Sequence, residues 1–159
     1  MKDILAILEQ NGRASPQEIS EITGHALDDV WTIIGQAEQN RIIVKYKAVV
    51  NWDRVDDDGV LALVDVRVAP EREVGFDRIA RRIARFPEVH SLDLMSGGYD
   101  LSVTVKGRNI QDVANFVATH LATIEEVYST TTHFLLKRFK TDGTILDEEP
   151  GAKRLPLTP

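Results

Sequence analysis

The sequence predicts an α+β chain of two small units: a winged helix-turn-helix, then a ferredoxin-like β-α-β-β-α-β domain with an antiparallel sheet and two helices on one face. Three observations predict it. Apolar residues recur at helical spacing three times before Arg41. Beyond Gly59 the period changes to alternation, with two helical stripes set between the alternating runs. Between the two regimes lies DRVDDDG, Asp53–Gly59, a polar stretch without periodicity that serves as a boundary.

The elements follow in order. Ile4, Leu5, Ile7 and Leu8 have helical spacing, and QNG ends that helix at Gly12. SPQEISEITG begins with a capping box. Ser15 and Glu18 each satisfy a free backbone N–H, and Pro16 fits the first helical position. Ile19 and Ile22 are expected to face inward, and Gly24 stops the helix. A third helix is expected from Leu27 to Asn40, with Leu27, Val30, Ile33, Ile34 and Ala37 as its buried stripe. RIIVKYKAVVNW alternates well enough for a strand or β-ribbon, the wing. In the second unit VLALVDVRV puts Ala62, Val64, Val66 and Val68 on one face of a strand. Phe76, Ile79, Ala80, Ile83 and Ala84 form a helical stripe, with Arg78, Arg81, Arg82 and Arg85 as a solvated basic face. VHSLDLM and YDLSVTVKG are strands joined at SGG, and Leu101, Val103 and Val105 point inward. Asn109 caps a helix whose stripe is Ile110, Val113, Val117, Leu121 and Ile124, and VYSTTTHFLLKRF is the last strand. The expected domains are thus 1–52 for the winged helix-turn-helix, 53–59 for the linker, 60–140 for the ferredoxin-like domain and 141–159 for a loosely held tail. A four-stranded sheet with helices on one side leaves its other side bare. Ala62, Val64, Leu101 and Val103 are expected to supply apolar surface there or on the covered side, favouring association.

Composition excludes several classes. There is no cysteine, hence no disulfide, thiolate ligand or cysteine nucleophile. No apolar run approaches the length of a membrane span, and MKDILAILEQNGR does not read as a signal peptide, so a cytoplasmic protein without a membrane partner is expected. His25, His90, His120 and His133 form no spaced metal pair, and there is no Gly-x-Ser-x-Gly elbow. No metal, cofactor or catalytic residue is therefore expected.

The arrangement resembles the Lrp/AsnC family of transcription regulators, up to about Lys140. ILAILEQNGRAS resembles that family's first helix and turn, and EQNRIIVKYKAVVN its third helix end and wing, with Tyr46 and Ala48 in place. Gly59 stands where the linker glycine belongs, and VYSTTTHFLL resembles the closing strand. SGGYDLSVTVKG resembles the family's Gly-x-Tyr-Asp segment and is the most specific match. Two departures stand in or beside the third helix: Ile33 where an arginine is usual, and Arg41 where a glycine precedes the wing.

The resemblance implies a regulator rather than an enzyme, bound to double-stranded DNA and tuned by a small effector, such as an amino acid, held by a RAM/AsnC-type domain. It implies homodimers through that domain that assemble into octamers. It places the effector near Gly97, Gly98, Tyr99 and Asp100, with Asp100 receiving an ammonium group, and near Thr130 and Thr132. On the residues alone, Gly97-Gly98 is a hairpin turn needing positive φ, and the two threonines are ordinary strand residues.

Charge complicates the DNA reading. Residues 1–60 hold 6 Lys+Arg against 11 Asp+Glu, whereas residues 61–159 hold 13 against 14. The acidic excess thus falls in the half expected to neutralise phosphates. Between Ala14 and Asn40 stand Glu18, Glu21, Asp28, Asp29 and Glu38 and no base. Asp28 and Asp29 fit the first turn of a helix, whose positive end favours carboxylates. The DNA contacts that remain are His25, Thr32, Gln36, Arg41, Lys45 and Lys47, the lysines reaching phosphates from the wing. An alternative follows from the acidic helix: a sensor or assembly protein of the same fold with little or no DNA affinity. More remote is a tetrapyrrole-handling enzyme of related architecture, which would draw on His90, His120 and His133.

Overall fold

A computed structural model describes residues 1–55, 59–69 and 75–146. The chain divides into two compact units, Met1–Val50 and Asn51–Pro159. Residues 56–58 of the expected linker and the tail beyond 146 lie outside the described residues.

The first unit is built from α1 (Lys2–Gln10), α2 (Pro16–Thr23) and α3 (Leu27–Gln39). Its core is Ile4, Leu8, Ile19, Val30 and Ile34, one apolar stripe from each helix. Ile22 does not join it. It is 68% exposed, because it sits on the outer side of a helix only two turns long. The capping box closes as expected: the Glu18 N–H donates to Ser15 Oγ at 3.2 Å, and the Ser15 N–H donates to Glu18 Oε2 at 2.7 Å. That Ser15 N–H, with the Ser15 hydroxyl, holds the Glu18 carboxyl below the ordinary glutamate value of 4.5. A depressed folded-state pKa contributes stability that is fully present above 4.5 and is lost as pH falls from there through the lower folded-state value. Ser15→Ala is expected to cost about 1 kcal/mol at neutral pH and to flatten the acid dependence. Thermal melts of the two proteins at neutral and acid pH check both. The segment from Arg41 to Asn51, expected as a strand or ribbon, forms no β-ladder. A ladder needs a second strand, and the rest of this unit is helical.

The second unit is β1 (Val60–Val68), α4 (Asp77–Ile83), β2 (Val89–Leu94), β3 (Leu101–Gly107), α5 (Ile110–Phe116), a π-helical turn (Val117–Leu121) and β4 (Val127–Phe134). The strands form an antiparallel sheet in the order β2-β3-β1-β4. Val64 of β1 lies opposite Val103 of β3 on one side and Thr132 of β4 on the other. Ile79, Ile83, Val113, Phe116 and Leu121 of the helical layer pack with Ala62, Val64, Val66, Leu101, Val103 and Val105 in one core. Ala62, Val64, Leu101 and Val103 therefore all lie on the covered side, at most 1% exposed. The uncovered side of β1 instead shows Leu61, Leu63, Asp65 and Arg67. Period-2 alternation tells which residues share a face but not which face the helices take. Ile110, at the exposed start of α5, is also off the expected stripe.

The described part of the expected tail, residues 141–146, is not extended. β5 (Lys140–Thr141) and β6 (Thr144–Ile145) form a hairpin around Asp142 and Gly143, both at positive φ. Asp-Gly is a strong short-range hairpin signal in any sequence. The Leu146 carbonyl accepts the Asn51 side-chain amide at 2.8 Å, tying the hairpin to the start of this unit.

Candidate nucleic-acid interface and effector turn

In the first unit α3 carries the outward face. Its N-cap is Ala26, which supplies no side-chain cap, and Asp28 and Asp29 stand exposed in the first turn. Thr32 is exposed, but its hydroxyl donates to the Asp28 carbonyl at 2.8 Å, so its oxygen faces outward as an acceptor. Gln36 is exposed one turn further on. His25, expected as a DNA contact, is engaged within the unit: its Nε2 lies 2.8 Å from Asp3 Oδ2. The N-terminal ammonium and His25 together hold the Asp3 carboxyl well below the usual carboxylate range. Sequence reasoning missed Trp31, which is 56% exposed on α3. The signal was present, since position 31 falls off the stripe of 27, 30, 33, 34 and 37.

Arg41 ends α3 at φ 55. The Arg41 N–H donates to the Glu38 carbonyl and the Ile42 N–H to the Ala37 carbonyl, the two bonds of a Schellman motif. That position favours glycine, because a side chain with Cβ pays for the left-handed conformation. Arg41→Gly is expected to raise unfolding free energy by about 1 kcal/mol and to weaken duplex binding by removing a cation. Denaturant melts and fluorescence anisotropy read the two effects separately. Downstream, the Tyr46 hydroxyl donates to Glu38 Oε1 at 3.0 Å, and the Tyr46 ring lies against Gly12. Burial and then Glu38 push the phenol pKa up. Tyr46 so pins the segment to its own unit, with Lys45 and Lys47 exposed on either side.

In the second unit the turn from Met95 to Asp100 joins β2 to β3. The Asp100 N–H donates to the Val66 carbonyl at 3.0 Å, and Asp100 Oδ2 accepts the Val68 N–H at 2.9 Å. This happens where the β1–β4 register shifts at Arg67/Val68, so the carboxylate takes a strand amide there. The Met95 N–H closes the turn on the Asp100 carbonyl at 2.8 Å. Tyr99 and Asp100 are half-buried, while Gly97 and Gly98 are exposed. Neither glycine has a positive φ, contrary to the turn expected there, and a Cβ on either would meet nothing within 4 Å. The six-residue connection makes its reversal without left-handed backbone at those two positions. Thr130 and Thr132 lie on the helix-covered side of β4, opposite Val66 and Val64. Thr130 is separated from Leu101 by Val66, two strand spacings or about 10 Å. The structure therefore brings Tyr99 and Asp100 together with the end of β1, and sets the threonines across that strand. Among the described residues no group of three His, Asp or Glu is placed to hold a metal. His90, His120 and His133 are spread over β2, the π-helical turn and β4.

A winged helix-turn-helix DNA-binding model matches residues 1–44, and the Lrp/AsnC ligand-binding domain matches residues 61–145. The chain belongs to the Lrp/AsnC family. Among similar proteins is YugG, an uncharacterized HTH-type transcriptional regulator of Bacillus subtilis, 46% identical over 158 residues, covering 99% of this chain and 95% of YugG. An HTH-type transcriptional regulator of Pyrococcus furiosus is 29% identical over 139 residues, 87% of this chain and 89% of the relative. Two solved structures share the Lrp/AsnC fold. The Neisseria meningitidis transcriptional regulator in complex with L-Met has a TM-score of 0.67 at 24% identity, covering 91% of this chain and 94% of that one. Escherichia coli AsnC has a TM-score of 0.67 at 20% identity, covering 91% and 95%. This Lrp/AsnC protein is thus a transcription regulator with a helix-turn-helix and a ligand-binding domain. Among the described residues no helix is long and apolar enough to cross a membrane.

Proposed function

We propose that this regulator binds duplex DNA as a homodimer, assembling further to an octamer, and that an amino-acid-type effector at the Gly97–Asp100 turn tunes it. One observation carries the effector reading. Gly97 and Gly98 are exposed glycines that neither backbone conformation nor crowding requires, beside an aspartate whose Oδ2 is fixed by β1. A bare backbone next to an oriented carboxylate suits a ligand that carries both an ammonium and a carboxylate. Asp100 Oδ1 would accept the ammonium, Tyr99 would pack on the ligand, and the glycine N–H groups would face its carboxylate. The L-Met bound by the Neisseria relative supports the same class of effector. For DNA, Gln36, Arg41, Lys45 and Lys47 are the contacts this reading retains, with Thr32 as an acceptor and His25 acting through its hold on Asp3. Dimerisation uses the uncovered sheet face, where Leu63 is 40% exposed.

The test measures binding to the protein's own upstream DNA at two salt concentrations, with mass by light scattering and calorimetry against a panel of amino acids. A dimer or larger species, salt-dependent duplex binding and one saturating amino acid are expected. A monomer at micromolar concentration overturns the assembly. Failure to bind any duplex at low salt favours the second reading, a sensor or assembly protein, whose motive is the stretch from Ala14 to Asn40 with five acids and no base.

A further inference from the structure

The core-facing side of α3 is Val30, Ile34 and Ala37, at most 9% exposed. Asp28, Trp31, Thr32 and Gly35 recur at i, i+3, i+4 and i+7, which on a helix makes one face, turned away from that core. On this face the Trp31 indole is 56% exposed. A single exposed apolar residue is ordinary. The glycine one turn beyond it is not. Gly35 lies in the middle of α3, where glycine costs stability relative to alanine. Its φ is not positive, and a Cβ built on it would meet nothing within 4 Å. Neither backbone conformation nor any described neighbour requires it.

A helical side chain leans toward the N-terminus and covers the turn before its own Cα. A side chain at position 35 would therefore lie over the turn that carries Trp31 and Thr32. Glycine leaves that flank of the indole bare. α3 is also the second helix of the matched helix-turn-helix, the one such motifs lay in the major groove. From Leu27 to Gln39 it holds no lysine or arginine. The commonest specific contact, a bidentate Arg or Lys on guanine, is therefore closed to it. The apolar group that the major groove displays is the 5-methyl of thymine.

We propose that Trp31 is a base-reading residue of α3: its indole packs on the 5-methyl of a thymine, and Gly35 keeps the approach to that ring open. This rests on the DNA-binding reading above and adds the base that α3 selects. An apolar contact needs no cation, so it can select sequence on a helix whose charges are Asp28, Asp29 and Glu38. It is also insensitive to salt, unlike the phosphate contacts of Arg41, Lys45 and Lys47.

The experiment uses the full chain and a duplex that it selects from a random pool. Each thymine is replaced in turn by uracil, which removes the 5-methyl and leaves every hydrogen-bonding group in place. Fluorescence anisotropy reads the affinity at two salt concentrations. At a contacted thymine, uracil is expected to weaken wild-type binding roughly fourfold, the worth of one buried methyl, by the same factor at both salts. Trp31→Ala is expected to bind the thymine duplex more weakly by at least that factor and to be indifferent to uracil there. Trp31→Phe, which keeps a ring, is expected to retain discrimination. Gly35→Leu, which covers the flank with a good helix former, is expected to bind more weakly while melting no lower than wild type. The proposal is overturned if wild type tolerates uracil at every position, if Trp31→Ala discriminates as wild type does, or if Gly35→Leu binds as wild type does. Wild-type binding without any sequence preference overturns this inference alone. Failure to bind any duplex at low salt overturns the DNA-binding reading together with it.

Discussion

Asp100→Ala is expected to abolish amino-acid binding at the turn and to lower unfolding free energy by about 1–3 kcal/mol, the cost of leaving a buried amide without its acceptor. The stability loss follows from Oδ2, which accepts the Val68 N–H at 2.9 Å. Asp100→Asn separates the two effects. The amide oxygen still accepts from Val68, so stability is expected to return most of the way, while the lost charge leaves no partner for an ammonium. Denaturant melts and calorimetric titrations of the three proteins decide it. If Asp100→Asn binds as wild type does, Asp100 has no ammonium to receive. If Asp100→Ala melts as wild type does, the tie to β1 carries no weight.

The sequence carried most of the fold, for reasons visible at particular residues. Ser15, Pro16 and Glu18 encode a helix start locally, and Ala62, Val64, Val66 and Val68 encode a strand by alternation alone. What it could not carry depended on tertiary context. Ile22 and Ile110 belong to apolar sets at helical spacing, yet short helix ends leave them exposed. The alternation of Ala62, Val64, Leu101 and Val103 is silent on which side the helices cover. Gly97-Gly98 looked like a requirement of the turn, and only backbone angles show that the turn does without it. The role of the Asp100 carboxylate as a strand-amide acceptor had no local signal, since Val68 is 32 positions away. Trp31 and the Asp142-Gly143 hairpin were legible by spacing and by dipeptide.

Replacing both Asp28 and Asp29 by asparagine is expected to tighten duplex binding about fivefold, to specific and random sequences alike. At about 7 Å in water each carboxylate repels a phosphate by roughly 0.6 kcal/mol, so the pair amounts to roughly 1 kcal/mol. The effect should shrink at higher salt as screening grows. The same change removes carboxylates from the positive end of a helix with no side-chain cap at Ala26, costing about 0.3–1 kcal/mol each in stability. Anisotropy on an operator fragment and a scrambled duplex, with melts alongside, reads both. Unchanged affinity would mean that these side chains point away from DNA.

The strand order β2-β3-β1-β4 also has a consequence for how the chain is made. β1 is the first strand of its unit to be synthesised, yet both its neighbours come late: Val60 waits for Gly107, and Ala62 waits for Phe134. The helices of the first unit, by contrast, close over partners near in sequence. A nascent chain can therefore finish its N-terminal unit while β1 still exposes Ala62, Val64, Val66 and Val68 along an unpaired strand. Long-range pairing of this kind is slow, and such strands are prone to join one another between chains. The acidic stretch DRVDDDG stands immediately before β1, and charges flanking an apolar strand oppose such joining by mutual repulsion.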